Sequence, residues 1–498
     1  MVVDQRDRKF PLEPWRKNGI LKDANVPARL CFRALPPELE PRFMPKRYPP
    51  GPPPGLFGLK NIRRFNDDTI AFSSELVRKY GDAVFLRTGP YRMYMFAHPD
   101  AIREALITHG KSFHRFPHVM EVMSQWNGQS LLIAEGDDWL RQRRMVQPAF
   151  SSKRFAGYAP QMVAAATRLA DRWLDQIRQR GPLEVDVDHA MTELTLEIIG
   201  RTMFDTDLAT VAPDVPQAVA TLSVIATREL TQPFRLPDWL PLQKQRRKRW
   251  AIRVLDETVW NLVRQRRASG GDRGDLLSTL LAAVDDQGDG RGLTDQQVRD
   301  ETMTLMLAGH DTTAAGLVWA WYNIARFPEV AARAAAEVDS ALAGRPATFA
   351  DLPRLNYTER VVKESLRLYP PAIAVFMRYA MEPVEIAGYS IAPKSLVFLP
   401  SWLPHHDPRW FPEPMQFDPD RFLPERFDKL PQFAYFPFGG GPRVCIGQQF
   451  AMLEMVLVIA TLLQRLRVEL APGQQEPRLL QNLSLRPAGG MHLRWTAR

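Results

Sequence analysis

From residue 83 to 96, Val84, Leu86, Tyr91, Tyr94 and Phe96 recur on either side of Gly89-Pro90. That pattern predicts a small strand pair around a turn, and Pro99 with Asp100 then opens a helix. From about 137 to 330 the pattern is helical almost throughout. A helix is expected over 275–285 and a loop at Gly288-Asp289-Gly290. Thr294 and Gln297 follow in capping-box spacing, in which each side chain satisfies the other's free backbone N–H. The helix that starts there runs to about Arg326, roughly 48 Å at 1.5 Å per residue, and Pro328 ends it. Apolar through its middle, it must cross the centre of the protein. Strand-like runs return at 384–386 and 396–399. These elements predict a mainly α fold with small β-sheets (α+β) in a single large domain.

The ends of the pattern differ from the middle. Residues 1–47 form an irregular arm holding Asp4, Arg6, Asp7, Arg8, Lys9, Arg16, Lys17, Lys22 and Asp23, so no apolar run there can span a bilayer. Pro49 to Gly55 makes a stiff polyproline-like entry to a domain over 48–498. Two apolar stretches, 303–322 with His310, Asp311 and threonines and 451–463 with Glu454, are expected as buried core helices and not as membrane spans. An integral membrane segment is therefore not expected, and the expected setting is cytoplasmic, with peripheral membrane contact left open.

The chain has 498 residues, 45% of them hydrophobic, and a formal net charge of +9. That content suits a packed globular protein. The positive charge suits an acidic partner surface or solubility. Only Cys31 and Cys445 are present, which excludes a disulfide framework, a cysteine-rich zinc site and an iron–sulfur cluster within this chain. The basic run Lys244, Arg246, Arg247, Lys248 and Arg249 lies on a helix after Pro241. It is expected as a solvated face and not as a nucleic-acid contact.

The strongest chemical signal is Phe438-Gly439-Gly440-Gly441-Pro442-Arg443-Val444-Cys445-Ile446-Gly447. A glycine-rich loop lets backbone approach a flat ligand. Cys445 stands just before a helix expected over 446–466, whose free N–H groups and dipole favour a thiolate. A thiolate is a soft, electron-donating metal ligand. Arg443 can pair with a carboxylate. In the long helix, Ala308-Gly309 is a small-residue pair that would let the helix pass close to a planar ligand, a setting often accompanied by local widening. Asp311-Thr312 places an acid beside a hydroxyl in an apolar stretch. Proton delivery is one role for the pair; a threonine bonded back to its own helix is the other.

These motifs resemble those of the cytochrome P450 family. Its signature F-x-x-G-x-R-x-C-x-G is matched at Phe438, Gly441, Arg443, Cys445 and Gly447, and the resemblance covers roughly residues 48–498. It implies a long central helix over haem b, Cys445 as the iron's axial thiolate, Arg443 as a propionate partner, and Phe438 packed on the thiolate side. It implies that Asp311 and Thr312 are the family's acid–alcohol pair, which delivers protons during the reduction of dioxygen. Trp139 and Arg143 match the family's W-x-x-x-R helix, implying two more propionate donors. Arg378 sits where another is common, and His405 is a lesser candidate for that role. His405-His406-Asp407 does not suit a non-haem iron site, because adjacent residues rarely converge on one metal and Asp407-Pro408 is a turn signal. Glu364 and Arg367 match the family's E-x-x-R pair, with Arg421 as the later arginine, and are expected to be structural. The chain departs from the family pattern at Ser395, where glycine is usual, and in its long N-terminal arm.

The implied function is insertion of one oxygen atom from dioxygen into a small apolar organic substrate, by hydroxylation or epoxidation. Segments 116–133 and 372–376 are expected to line the pocket. About 50 residues follow Cys445, too few for a flavodoxin-like domain, and no dinucleotide-binding fingerprint is present. NAD(P)H is therefore expected to act only through a separate ferredoxin or FMN-type reductase. Arg141 and Arg144 are the expected docking charges. The alternatives are a haem-thiolate enzyme that uses peroxide or isomerises its substrate, and a non-catalytic haem sensor or carrier. NAD(P)H-dependent turnover with supplied redox partners separates them.

Overall fold

The computed structural model describes residues 47–232, 237–288 and 290–498. Cys31 and residues 1–46 of the arm lie outside them. The fold is mostly helical with small sheets, as the hydrophobic pattern predicts. The expected strand pair is β1 (Ala83–Thr88) and β2 (Tyr91–Phe96), antiparallel with Val84 opposite Met95. They form one side of a five-stranded sheet in the order β1-β2-β5-β4-β3. The other strands are β3 (Phe113–Arg115), β4 (Arg378–Ala380) and β5 (Leu396–Phe398). β2 runs parallel to β5, and β3 pairs antiparallel with β4, which sets Arg115 directly opposite Arg378.

The helical body is built from α1 (Pro117–Asn127), α2 (Gly136–Val146), α3 (Ser152–Arg180), α4 (Val187–Phe204), α5 (Val215–Thr231), α6 (Gln243–Ser269), α7 (Asp295–Arg326), α8 (Asn356–Leu368) and α9 (Gln448–Leu463). α7 is the long central helix, 32 residues or about 48 Å. Its start is fixed as expected: Gln297 N donates to Thr294 Oγ1 at 3.2 Å, and Thr294 N to Gln297 Oε1 at 3.0 Å. α7 packs against α4, α6, α8 and α9, which is why it is apolar nearly all round. α9 is a core helix too, and burial keeps its Glu454 carboxyl far above the usual carboxylate range, hence neutral. No helix among the described residues is long and apolar enough to cross a membrane. Near the C-terminus, β6 (Leu479–Gln481) and β7 (Leu485–Pro487) form a hairpin, fastened to α7 by Trp319 Nε1 donating to Leu485 O at 2.8 Å.

Two expectations are corrected here. The helix predicted over 275–285 covers only Leu276–Ala282, because Val284 leaves it to bridge Gly292. The basic run is not a uniformly solvated face. Lys248 is fully buried, and its ammonium donates to Glu229, Asp238 and Gln125, while Arg249 donates to Asp238 O. A buried ammonium survives only with such partners. They come from α5, the segment before α6, and α1, which no local pattern reveals.

Candidate active site

The cysteine loop is held from behind. Glu364 and Arg367, one helical turn apart on α8, are wholly buried and form two bonds of 2.6 and 2.7 Å. Arg421 Nε lies 3.3 Å from Glu364, whose carboxylate also accepts from Asp418 N. Arg367 donates on to the carbonyls of His405 (2.7 Å), Pro414 (2.8 Å) and Gln416 (3.2 Å). His405 then accepts from Phe436 N at 2.9 Å through Nε2, and Gly439 N donates to Phe436 O. The chain of bonds thus runs from α8 to the loop before Cys445. His405, a candidate propionate donor, is instead fully buried inside this support.

Within the loop, Cys445 N donates to Phe438 O at 3.0 Å. Gly441 has φ +68°, and a Cβ there would lie 2.4 Å from Leu106 O; only glycine meets both demands. α9 begins at Gln448, three residues after Cys445 and later than the sequence suggests. Cys445 Sγ has exposed surface, yet the residue lies deep enough that burial pushes its thiol pKa up. The Gly447 N–H and the Arg143 charge oppose this without overcoming it.

α7 carries a narrow exposed window. Between Val298 and Ala325 only Ala308 and Thr312 are exposed. They are four apart and so share a face. The helix stays α throughout, without the expected widening. Gly309 has a different role from the one expected. Its missing Cβ would sit 2.7 Å from Ile199 Cδ1, so its smallness serves the contact with α4 rather than a planar ligand. Thr312 Oγ1 donates to Ala308 O at 2.8 Å, the back-bond to its own helix. Asp311 does not meet it; its carboxylate pairs with Arg486 of β7 at 2.8 Å.

Beside the loop, three arginines crowd together. Arg115 and Arg378, register partners across β3 and β4, are buried, and Arg443 joins them from the cysteine loop. Burial and then the charge of Arg443 push Arg115 down to about 9 and Arg378 to about 10. A guanidinium stays protonated in proteins at neutral pH, so Arg115 and Arg378 remain charged, and like charges at directly opposed strand positions are destabilising. One carboxylate, Glu135, answers them. It pairs with Arg443 and accepts from Arg115 N at 3.1 Å. The cluster keeps a net charge of +2, which suits two further carboxylates. The Arg443 guanidinium lies 4.5 Å over the Trp139 ring. Arg143 turns away from the cluster and donates to Val444 O at 3.0 Å.

Arg141 and Arg144, the expected docking charges, are committed elsewhere. Arg144 makes bonds of 2.9 and 2.8 Å to the buried carboxylate of Asp285, and Arg141 donates to the carbonyls of Arg291 and Gly292. They fasten the 285–292 loop. Arg115, Glu135 and Arg486 escaped sequence reasoning, because the charged partners that give each its role, Arg378, Arg443 and Asp311, stand on distant segments. The pairing of a short strand ending in Arg115 with the one starting at Arg378 is the signal that would have found the first.

A flat dianion with a metal at its centre suits these residues: a cysteine able to ligate a metal, an exposed alanine and threonine on the central helix, and surplus guanidinium charge beside the cysteine loop. The two propionates of haem b match that surplus. Comparison with known proteins agrees. The cytochrome P450 family model matches residues 49–494. The chain is 39% identical to cyclooctatin synthase of Streptomyces melanosporofaciens, over 82% of this chain and 88% of that protein. It is 36% identical to cyclooctat-9-en-7-ol 5-monooxygenase of the same organism, over 79% and 84%. It is 34% identical to pentalenene oxygenase of Streptomyces avermitilis, over 79% and 85%. The chain belongs to the cytochrome P450 family. It is a haem b monooxygenase that uses dioxygen, with electrons reaching it from NAD(P)H through a reductase.

Proposed function

We propose that this monooxygenase oxygenates a cyclic terpene, or a terpene already carrying one hydroxyl, within a haem domain spanning residues 48–498. The observation that carries the reading is the window on α7: between Val298 and Ala325 only Ala308 and Thr312 are exposed. The charged side chain beside them, Asp311, is paired with Arg486, so the window offers a substrate apolar contact and no free charge. The substrates named for two relatives, cyclooctat-9-en-7-ol and pentalenene, are cyclic, unsaturated and almost wholly hydrocarbon. Exposed Ala372 and Phe376 add further apolar surface from the expected pocket segment.

When bound, haem supplies the redox chemistry that activates dioxygen, and a thiolate ligand donates electron density that favours O–O cleavage. Cys445 would hold the iron through its sulfur. Gly447 N–H and Arg143 favour the charged sulfur, and Phe438 and Gly447 frame the loop around it. Arg115, Arg378 and Arg443 would hold the propionates, and Trp139, under the Arg443 guanidinium, would fix its orientation. Ala308 would present only a methyl where α7 passes the cofactor, while Gly309 lets α7 close on Ile199 of α4. Thr312, once its hydroxyl turns from Ala308 O, would hold a proton at Oγ1 for the reaction, and Asp311 would replenish it.

The electron donor is a separate ferredoxin or FMN-type protein. It docks over a cleft of about 550 Å³ directly behind the cysteine loop, bounded by Phe155, Leu352, Phe427, Phe438, Gln448 and Met452. Exposed Lys153 and Lys429 lie within two residues of the lining positions Ser152 and Phe427. They take over the steering role expected of Arg141 and Arg144, and such steering weakens with salt.

Titration of the haem-loaded protein with cyclic sesquiterpenes, cyclic diterpenes and straight-chain fatty acids, read by the haem absorbance, tests the substrate class. Cyclic terpenes are expected to shift the spectrum and fatty acids to leave it unchanged; the reverse sinks the terpene reading. Thr312→Ala is expected to keep substrate binding and electron uptake while diverting most of the flux to peroxide, measured as peroxide released per NADPH consumed. Arg115→Met removes one charge-assisted anchor of about 1.5–3 kcal/mol. It should speed haem transfer to an apo-globin acceptor roughly tenfold to a hundredfold, with the fold intact by circular dichroism.

A further inference from the structure

Asp311 is held away from the residue it is meant to serve. Arg486, on β7 and nearly buried, gives Nη2 to both Asp311 Oδ1 (2.8 Å) and Asp311 O (2.9 Å). Its Nη1 goes to Asp188 at the start of α4 and, at 3.3 Å, to Thr192 Oγ1. Its Nε donates to Ser484 Oγ at 3.2 Å. One guanidinium is thus shared between two carboxylates, one on the helix that carries Thr312 and one on a helix behind it. The other titratable neighbour of Asp311 is His310. Burial pushes it down to about 4, so it is neutral, and its Nε2 pairs with Thr192 O at 3.1 Å. For Asp311, burial acts upward, but the charge of Arg486 and the Ser484 hydroxyl outweigh it and hold the carboxyl below its usual value.

A carboxylate clamped in this way is a poor proton donor, since an acid works best with an affinity near the operating pH. It must leave Arg486 to take up a proton. Leaving a buried guanidinium unpaired would cost heavily, but Asp188 remains bonded to it. We propose that Arg486 is a positioning residue, shared between Asp188 and Asp311, that sets when Asp311 can be protonated and lets it go without losing its own counter-charge. This rests on the reading that Asp311 replenishes Thr312. Asp311 takes a proton from water and passes it to the Thr312 hydroxyl as that hydroxyl gives up its own. Asp188 touches neither dioxygen nor haem in this scheme. It acts by keeping Arg486 paired.

Infrared difference spectra of the haem-loaded full chain, titrated with pH, read this directly. The protonated-carboxyl band lost in Asp311→Asn identifies Asp311. Arg486→Met is expected to move its titration up by about one pH unit or more, a tenfold change in proton affinity. Asp188→Asn, which leaves Asp311 as the only carboxylate of Arg486, is expected to move it down. Arg486→Lys, a gentler change should the methionine variant fold poorly, is expected to move it up by less. A kinetic arm uses NADPH-driven dioxygen consumption with a supplied plant-type ferredoxin and its reductase. The solvent isotope effect should grow in Asp188→Asn and shrink in Arg486→Met and Arg486→Lys. A purely structural network would move all variants the same way, or none. Either result overturns the proposal. Should Asp311→Asn retain the wild-type rate and isotope effect, the relay reading fails instead, and the infrared titration still reports whether Arg486 governs Asp311.

Discussion

Replacement of Cys445 by alanine is expected to abolish the thiolate-type absorption of the reduced, carbon monoxide-bound protein and to reduce turnover to the background of free haem. Cys445 is the free cysteine of the described residues, and no other thiol among them can replace it. Cys445 is exposed, so removing its sulfur leaves no buried cavity, and the alanine variant should still fold and still hold haem by its propionates. Binding and ligation are thereby separated: haem content stays measurable while the diagnostic band vanishes. Cys31→Ala should leave both untouched. Retention of the band in Cys445→Ala would transfer the ligand role elsewhere and end the present assignment.

A comparably large effect is expected far from the reacting atoms. Glu364→Ala leaves Arg367 wholly buried with its counter-charge gone, along with the bond to Asp418 N and the contact with Arg421. Removing one partner of a buried ion pair costs about 3–5 kcal/mol, a large share of the roughly 5–15 kcal/mol that holds a typical protein together. The loss should fall on the cysteine loop through His405 and Phe436. The expected result is a lowered urea midpoint and poor haem retention, including under conditions where far-ultraviolet dichroism remains. Glu364→Asp, which keeps the charge but falls short of Arg367, should lie between. Unchanged haem content in Glu364→Ala would show that the loop is held some other way.

What the sequence made legible was whatever depended on short spacing. The Thr294 capping box, the strand pair around Gly89-Pro90, and the Glu364–Arg367 pair all join residues a few positions apart, and each is found where expected. Charges whose partners lie far along the chain were misjudged. Arg144 is placed correctly on its helix, but its partner Asp285 lies 141 positions on. Lys248 looked solvated because Glu229, Asp238 and Gln125 reach it from three other segments. Gly309 was correctly marked as a close-approach position, yet the neighbour that approaches is Ile199, and periodicity within one helix cannot say which neighbour it meets. Asp311 was singled out by its apolar surroundings, while the arginine that governs it stands 175 residues later.

The bonds that close the cysteine loop are also long in sequence. Arg143 reaches Val444 across 301 positions and Arg443 reaches Glu135 across 308. Contacts of such separation raise the contact order and form late in folding, because the chain between them must first be ordered. The pocket for the cofactor is therefore completed near the end of folding, after most of the helical body has condensed. A nascent chain short of haem would linger with the Arg115, Arg378 and Arg443 charges repelling one another. Haem, by binding only the finished pocket, pulls the population forward by mass action. Supplementing cells with a haem precursor during expression should accordingly raise the yield of folded chain itself, and not merely the fraction of it that is coloured.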